Sequence, residues 1–214
     1  MKRILLLTLV FASTWTTFAQ NDPKAEALLD EVYAKVKGYD NIYVDFKYVL
    51  SNAEAGINQE TRGEVTMQGD KYLGDLFGAK QLYDGTKVYT IVPENEEVTI
   101  EDKTTDDNEM SPSSLLTFYR QGHTYQMDIT QNVQGRKIQY VKLTPMDTDS
   151  EVKSRLLGID AETKHIYKLI ETGKNGTTTT ITVNSFKTNQ ALSGSLFTFD
   201  AKKYEDDGYY IIRN

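Results

Sequence analysis

Two hydrophobic periods organise the chain. After Asn21-Asp22-Pro23, which supply a cap and a proline for a first helical turn, Ala25, Leu28, Leu29, Val32, Tyr33 and Val36 recur at i, i+3, i+4, i+7, i+8 and i+11 as far as Gly38. This spacing predicts an amphipathic N-terminal helix whose apolar stripe needs a sheet to lie on. The period then switches to two. Ile42, Val44, Phe46, Tyr48 and Leu50 alternate with Tyr43, Asp45, Lys47 and Val49. Strand-like runs follow at 59–68, 70–77, 80–83, 87–92 and 96–101, broken by Gly69-Asp70, Gly78, Asp84-Gly85 and Pro93-Glu94-Asn95. Gaps this short predict an antiparallel meander, since parallel neighbours need crossovers of roughly a dozen residues.

A polar, acidic stretch over 101–109 separates this run from Ser111-Pro112, a second cap-and-proline start. A short helix over 112–121 is predicted there. It presents Leu115, Leu116, Phe118 and Tyr119, more apolar surface than one stripe requires. Strand patterns resume at 124–131, 137–144, 151–159, 165–171 and 177–187, with turns at Gln134-Gly135, Asp160-Ala161-Glu162 and 173–176; LFTFD (196–200) and the final GYYIIRN read as the last strands. The predicted fold is mainly β (α+β): about eleven locally connected antiparallel strands in one strongly curved sheet, with two short helices on one side. The 14 Tyr and 8 Phe fit this reading, because aromatic side chains suit half-buried pleated surfaces.

Ahead of the helix, Lys2-Arg3, an apolar run over 4–12 and Thr17-Phe18-Ala19 make a secretory signal peptide over 1–19, leaving 20–214 as one domain. The net charge of −7 becomes −9 when Lys2 and Arg3 leave with that segment. An acidic chain without a basic cluster argues against nucleic acid and against docking on anionic lipid. The absence of cysteine removes disulfides, thiol chemistry and the lipid-modified cysteine of a bacterial lipoprotein, so the mature chain is expected to move freely outside the cytoplasm.

Candidate chemistry is sparse. The two histidines, His123 and His165, have no second His or Cys at ligand spacing. The acidic stretch lacks the residue order of a calcium loop, no Gly-x-Ser-x-Gly elbow surrounds Ser111, Ser113 or Ser114, and the pairs Asp106-Asp107 and Asp206-Asp207 sit in turn-like surroundings that would not raise a carboxyl pKa. No enzyme, no cofactor and no metal are therefore expected. The positive signal is geometric: an aromatic sheet face and two amphipathic helices that enclose a space.

Several of these features together resemble the LolA family of periplasmic lipoprotein carriers. They are the helix with Ala27-Leu28-Leu29, the strand with Phe46, the start at Gly63-Glu64-Val65, and the hairpin Leu82-x-Asp84-Gly85-x-x-Val88-Tyr89 followed by Pro93. The Ser-Pro-led Leu115-Leu116, the LTP of 143–145 and LFTFD complete the set, and the likeness runs from about residue 24 to 204. Its most specific element is the Asp-Gly hairpin with its aromatic partners.

The resemblance implies an incomplete barrel whose concave face takes the acyl chains of lipoproteins from an inner-membrane release complex to an outer-membrane acceptor, through the periplasm, as a monomer and without covalent chemistry. Lining is expected from Val44, Phe46, Tyr48, Val65, Met67, Tyr72, Leu82, Tyr89 and Ile91, with Leu115, Leu116 and Phe118 from the covering helix. The inward parity is anchored on Phe46, because a slip of one residue exchanges the two faces. The family's Arg-Pro pair, whose Arg holds the cover closed, is replaced by Gly69-Asp70, leaving Lys71 or Arg62 as stand-in donors, a differently gated cover, or a different cargo. An envelope-stress sensor and a carrier of another lipid are the alternative readings of the same fold.

Overall fold

The computed structural model describes residues 21–103, 112 and 114–213. The segment over 1–19 read as a signal peptide and most of the acidic stretch lie outside the described residues.

The N-terminal helix α1 spans Pro23–Lys37, as its periodicity predicts. The Asp22 carboxylate accepts from the Lys24 N–H, Pro23 fills the first turn where its missing N–H costs nothing, and Gly38 ends the helix by donating back to Ala34 and Lys35. Ala25, Leu29 and Val32 are buried on its sheet-facing side.

Among the described residues twelve strands form one strongly curved sheet: β1 (Ile42–Asn52), β2 (Ile57–Gln68), β3 (Lys71–Leu76), β4 (Ala79–Tyr83), β5 (Lys87–Val92), β6 (Glu97–Asp102), β7 (His123–Val133), β8 (Arg136–Pro145), β9 (Val152–Asp160), β10 (Ile166–Gly173), β11 (Thr178–Thr188) and β12 (Tyr210–Arg213). Their spatial order is β12-β6-β5-β4-β3-β2-β1-β11-β10-β9-β8-β7. Two meanders, β1–β6 and β7–β11, thus meet at a single seam, the antiparallel β1–β11 pair.

Register fixes which side chains share the concave face. Val44 lies between Val65 of β2 and Phe186 of β11, and Tyr48 lies opposite Ile181. The pairing shifts between Asp45 and Phe46, so β11 carries an extra residue, Asn184, whose amide donates to the Asp45 carboxylate at 2.8 Å. This bulge brings both Phe186 and Val183, three residues apart, onto the inner face beside Val44 and Phe46.

Three expectations are corrected. The segment predicted as a helix over 112–121 forms two 3-10 turns instead, Ser114–Leu116 and Phe118–Arg120. Thr117, at φ −135, interrupts it, and so few residues before Gly122 cannot recover the cost of nucleating an α-helix. LFTFD is not a strand: 193–198 turns on itself, and Asp200 caps a six-residue helix α2, Ala201–Asp206, by accepting from the Lys203 N–H. The sheet is also not wholly antiparallel, because β12 runs parallel to β6.

The C-terminal segment explains that last feature. Phe199, Tyr204, Tyr209 and Ile211 pack on Tyr89, Ile91, Val98 and Ile100, covering the convex face of β5 and β6. Phe199 stacks between Tyr89 (centroids 4.3 Å) and Tyr204 (5.2 Å). The neighbouring β4 is buried on both faces, with Leu82 on the convex side and Tyr83 in the concave cluster with Met67 and Tyr72. On the concave side, α1 lies over β7–β10 and packs on Tyr125, Val141, Leu143, Leu157 and Ile159.

Candidate functional site

Beneath the 3-10 turns the described residues leave the concave face unfilled. A cavity of about 470 Å³ remains, floored by the seam and roofed by Pro112, Leu115, Leu116 and Phe118. Val44, Phe46 and Tyr48 of β1 and Val65 and Met67 of β2 line one side; Thr179, Ile181 and Val183 of β11 and Leu169 of β10 line the other. A cavity of this size with mostly aliphatic and aromatic walls is suited to apolar ligands.

Phe46 owes its placement to an absent side chain. Gly63 faces it across the β1–β2 pair, and a Cβ there would come within 2.6 Å of the Phe46 ring and 2.9 Å of the Asp75 carbonyl. The bare glycine lets the ring lie flat across β2.

The charged groups lining the cavity form one cluster. Arg155 of β9 donates from Nε to the Glu171 carboxylate at 2.7 Å, with the two side chains 13% and 30% exposed. Its Nη1 meets His123 Nε2 at 2.7 Å, and its guanidinium lies 5.3 Å from the centre of the Phe118 ring. The Gln121 carbonyl, 2.7 Å from His123 Nδ1, accepts the proton there, which leaves Nε2 free to accept from Arg155. Burial holds the His123 pKa below its ordinary value, and the Arg155 charge acts in the same direction. The cover is thus held to the sheet by a partly desolvated cation–π contact from Arg155, whose guanidinium the His123 and Glu171 hydrogen bonds orient. Neither stand-in donor suggested by the sequence lines the cavity: Arg62 and Lys71 are exposed, and Arg155 makes the contact to the cover.

Eight of the twelve residues expected to line the site surround this cavity: Val44, Phe46, Tyr48, Val65, Met67, Leu115, Leu116 and Phe118. The other four lie elsewhere. Tyr72 shares the inner face but packs into the side-chain cluster with Met67 and Tyr83. Leu82, Tyr89 and Ile91 are on the opposite face: Leu82 pairs with Tyr89, Tyr89 with Ile100, and Tyr89 and Ile91 pack under the C-terminal segment. Tyr89 also donates to Asp84 at 2.9 Å, and burial together with that bond pushes its pKa up to about 12. The Asp84-Gly85 turn is fixed by the same carboxylate, which accepts from the Thr86 and Lys87 N–H groups at 2.8 and 2.9 Å.

Sequence reasoning missed the second wall. Thr179, Ile181 and Val183 alternate plainly in the 177–187 pattern, and Leu169 and Glu171 do so in 165–171. Their period was available; their meeting with β1 required the long-range β1–β11 pairing. A second, more polar cavity of about 480 Å³ adjoins the first at Met67 and Leu116, bordered by Lys37, Asp40, Asn41 and Asp70.

Solved structures share this architecture. An uncharacterized conserved protein from Thermus thermophilus superposes with a TM-score of 0.55 at 8% identity, covering 89% of this chain and 99% of that one. The lipoprotein LppX of Mycobacterium tuberculosis gives 0.50 at 12% identity over 81% and 100%. A LolA superfamily protein from Nitrosomonas europaea gives 0.43 at 12% identity over 82% and 97%. No curated protein matches the sequence. The family model described as outer membrane lipoprotein carrier protein LolA matches residues 81–200 of the 214, and the chain belongs to the LolA family.

Proposed function

We propose that this protein is a periplasmic carrier that shields the acyl chains of lipoproteins while they pass from the inner to the outer membrane. The observation that carries the reading is the apolar cavity that the described residues of the sheet and of the two 3-10 turns leave unfilled. Leaving such a space empty forfeits packing that the same sheet achieves under α1, so its retention calls for a ligand.

Magnitudes support the match. Each acyl methylene withdrawn from water is worth about 0.8 kcal/mol, so several long chains represent on the order of 30 kcal/mol. An exposed patch of a few hundred Å² offers at most about 10 kcal/mol at roughly 25 cal/mol per Å². An enclosed concavity is required. The closed volume suits about one chain, within the ordinary range for small-ligand pockets, so a cargo with several chains requires the cover over Leu115, Leu116 and Phe118 to lift. Arg155 is placed to hold that cover down between loading at an inner-membrane release complex and unloading at an outer-membrane acceptor.

Native mass spectrometry of the protein purified from a bacterial envelope tests the reading, together with uptake of a fluorescent fatty-acyl probe. A bound acylated lipoprotein is the expected result, and a bound free lipid would redirect the cargo assignment. An empty protein that also refuses the probe would overturn the proposal. Leu116→Glu and Phe46→Glu are expected to abolish probe uptake with the fold intact by circular dichroism, whereas Lys202→Ala, far out on α2, leaves uptake unchanged.

A further inference from the structure

The cavity wall contains one anomaly. Phe77 lines it and yet is 60% exposed, while every other described lining residue is buried or half-buried. It is also set in a backbone conformation that a bulky side chain rarely adopts. Leu76 and Ala79 pair across a two-residue hairpin whose central residues, Phe77 and Gly78, have φ of +57 and +86. Positive φ at both positions marks the tight turn that favours Asn, Asp or Gly first and Gly second. Gly78 obeys the rule and Phe77 breaks it.

The exposed ring has a partner. Phe77 meets the Tyr48 ring edge-on at 5.0 Å, and Tyr48, on β1, lines the same end of the cavity. A left-handed aromatic on a turn is unfavourable locally, and water on one of its faces recovers little burial. Its position is accounted for if the ring closes an opening. We infer that Phe77 and Tyr48 form an aromatic gate at the cavity mouth through which an acyl chain threads. The gate lies on the β3–β4 hairpin, on a different element from the cover that Arg155 fastens.

A gate on a two-residue turn moves cheaply. Swinging the Phe77 ring off Tyr48 needs rotation about side-chain bonds, with no strand unpaired, whereas lifting the cover must break the Arg155 contacts. Gln81 lines the cavity further along β4, in the row of Val65 and Gly74, and its side chain makes no hydrogen bond among the described residues, so the ester group of a chain drawn in past the mouth meets a free amide.

The inference rests on the carrier reading, and stopped-flow exchange of a soluble fluorescent fatty-acyl probe separates the two. Phe77→Asn gives the turn its favoured residue, so the variant melts at or above the wild-type temperature. Its probe association and dissociation rates are expected to rise together, about tenfold, with the dissociation constant little changed. Phe77→Tyr, which keeps an aromatic ring at the mouth, is expected to retain wild-type rates. Probe bound normally by all variants with unchanged rates would overturn the gate and leave the carrier reading standing. So would a defect seen only as weaker adhesion to phospholipid vesicles, which would make Phe77 a membrane contact. A wild-type protein that binds no probe would overturn both.

Discussion

The concave face of one sheet is finished in two ways. Over β7 and β8 it is closed by a 15-residue helix, and Leu29, Val32, Val141 and Leu143 are shut off from water almost completely. Over the seam it is closed by two single 3-10 turns, and Phe46, Tyr48, Ile181 and Val183 border open space. The two regions are built from similar side chains. What differs is the length of apolar surface brought down on them: a helix of four turns supplies a continuous stripe, and among the described residues the two short turns supply three side chains and a gap. Stability is concentrated in the first region, and capacity for a ligand in the second.

The largest effect that tests this division is truncation in the filled region. Leu29→Ala is expected to cost about 2–5 kcal/mol of unfolding free energy in a urea titration, since α1 cannot settle into the hole. The matching truncation beside the cavity, Val183→Ala, is expected to cost about 1 kcal/mol or less, because that side chain already borders a void. Equal costs would erase the distinction.

Acidification probes the fasteners of each region. Burial lowers the pKa of His123, under the cover, and of His165, where Lys35 adds to the effect and Asp160 opposes it. His165 bonds the Tyr39 hydroxyl at 2.8 Å and stacks on Phe186. For both groups the unfolded chain takes up the proton first, so stability is full above about pH 6.5 and declines as pH falls through the two native values. A His123→Gln, His165→Gln double variant is expected to flatten the denaturation midpoint between pH 7 and 5. The smallest stability effect belongs to Val183→Phe: filling space leaves the midpoint within about 0.5 kcal/mol while depressing probe uptake. A variant that lost stability heavily would show the space to be smaller than its outline.

The same contrast explains what the chain made legible. The period of α1 is a one-sided pattern and the alternation of β1 marks a strand, so both elements follow from residue spacing, while the inward parity rests on the choice of Phe46 as anchor. The pattern fails where a strand is covered twice. Leu82 and Tyr83 are both buried, one under each face, and no alternation distinguishes them, which is how Leu82, Tyr89 and Ile91 came to be expected on the wrong side. Arg155 was illegible for another reason. Its contacts, Glu171, His123 and Phe118, come from three segments that only the β9–β10 register and the turns after Pro112 bring together. The two short turns escaped because Ser-Pro and consecutive apolar residues suggest a helix until one asks whether the segment is long enough to propagate one.

The seam has a kinetic meaning as well. Every pairing within β1–β6 and within β7–β11 joins strands that follow one another in the chain, whereas Tyr48 and Ile181 of the β1–β11 pair are more than a hundred residues apart. Each meander can therefore assemble quickly on its own, and closure of the β1–β11 pair is the slow, entropically costly step. The ligand space straddles that closure, with Phe46 and Tyr48 on one bank and Ile181 and Val183 on the other. A hydrocarbon chain lying there acts as a clamp across the last joint to form, so the loaded protein should come apart more slowly than the empty one, by as much as its cargo prefers the closed joint.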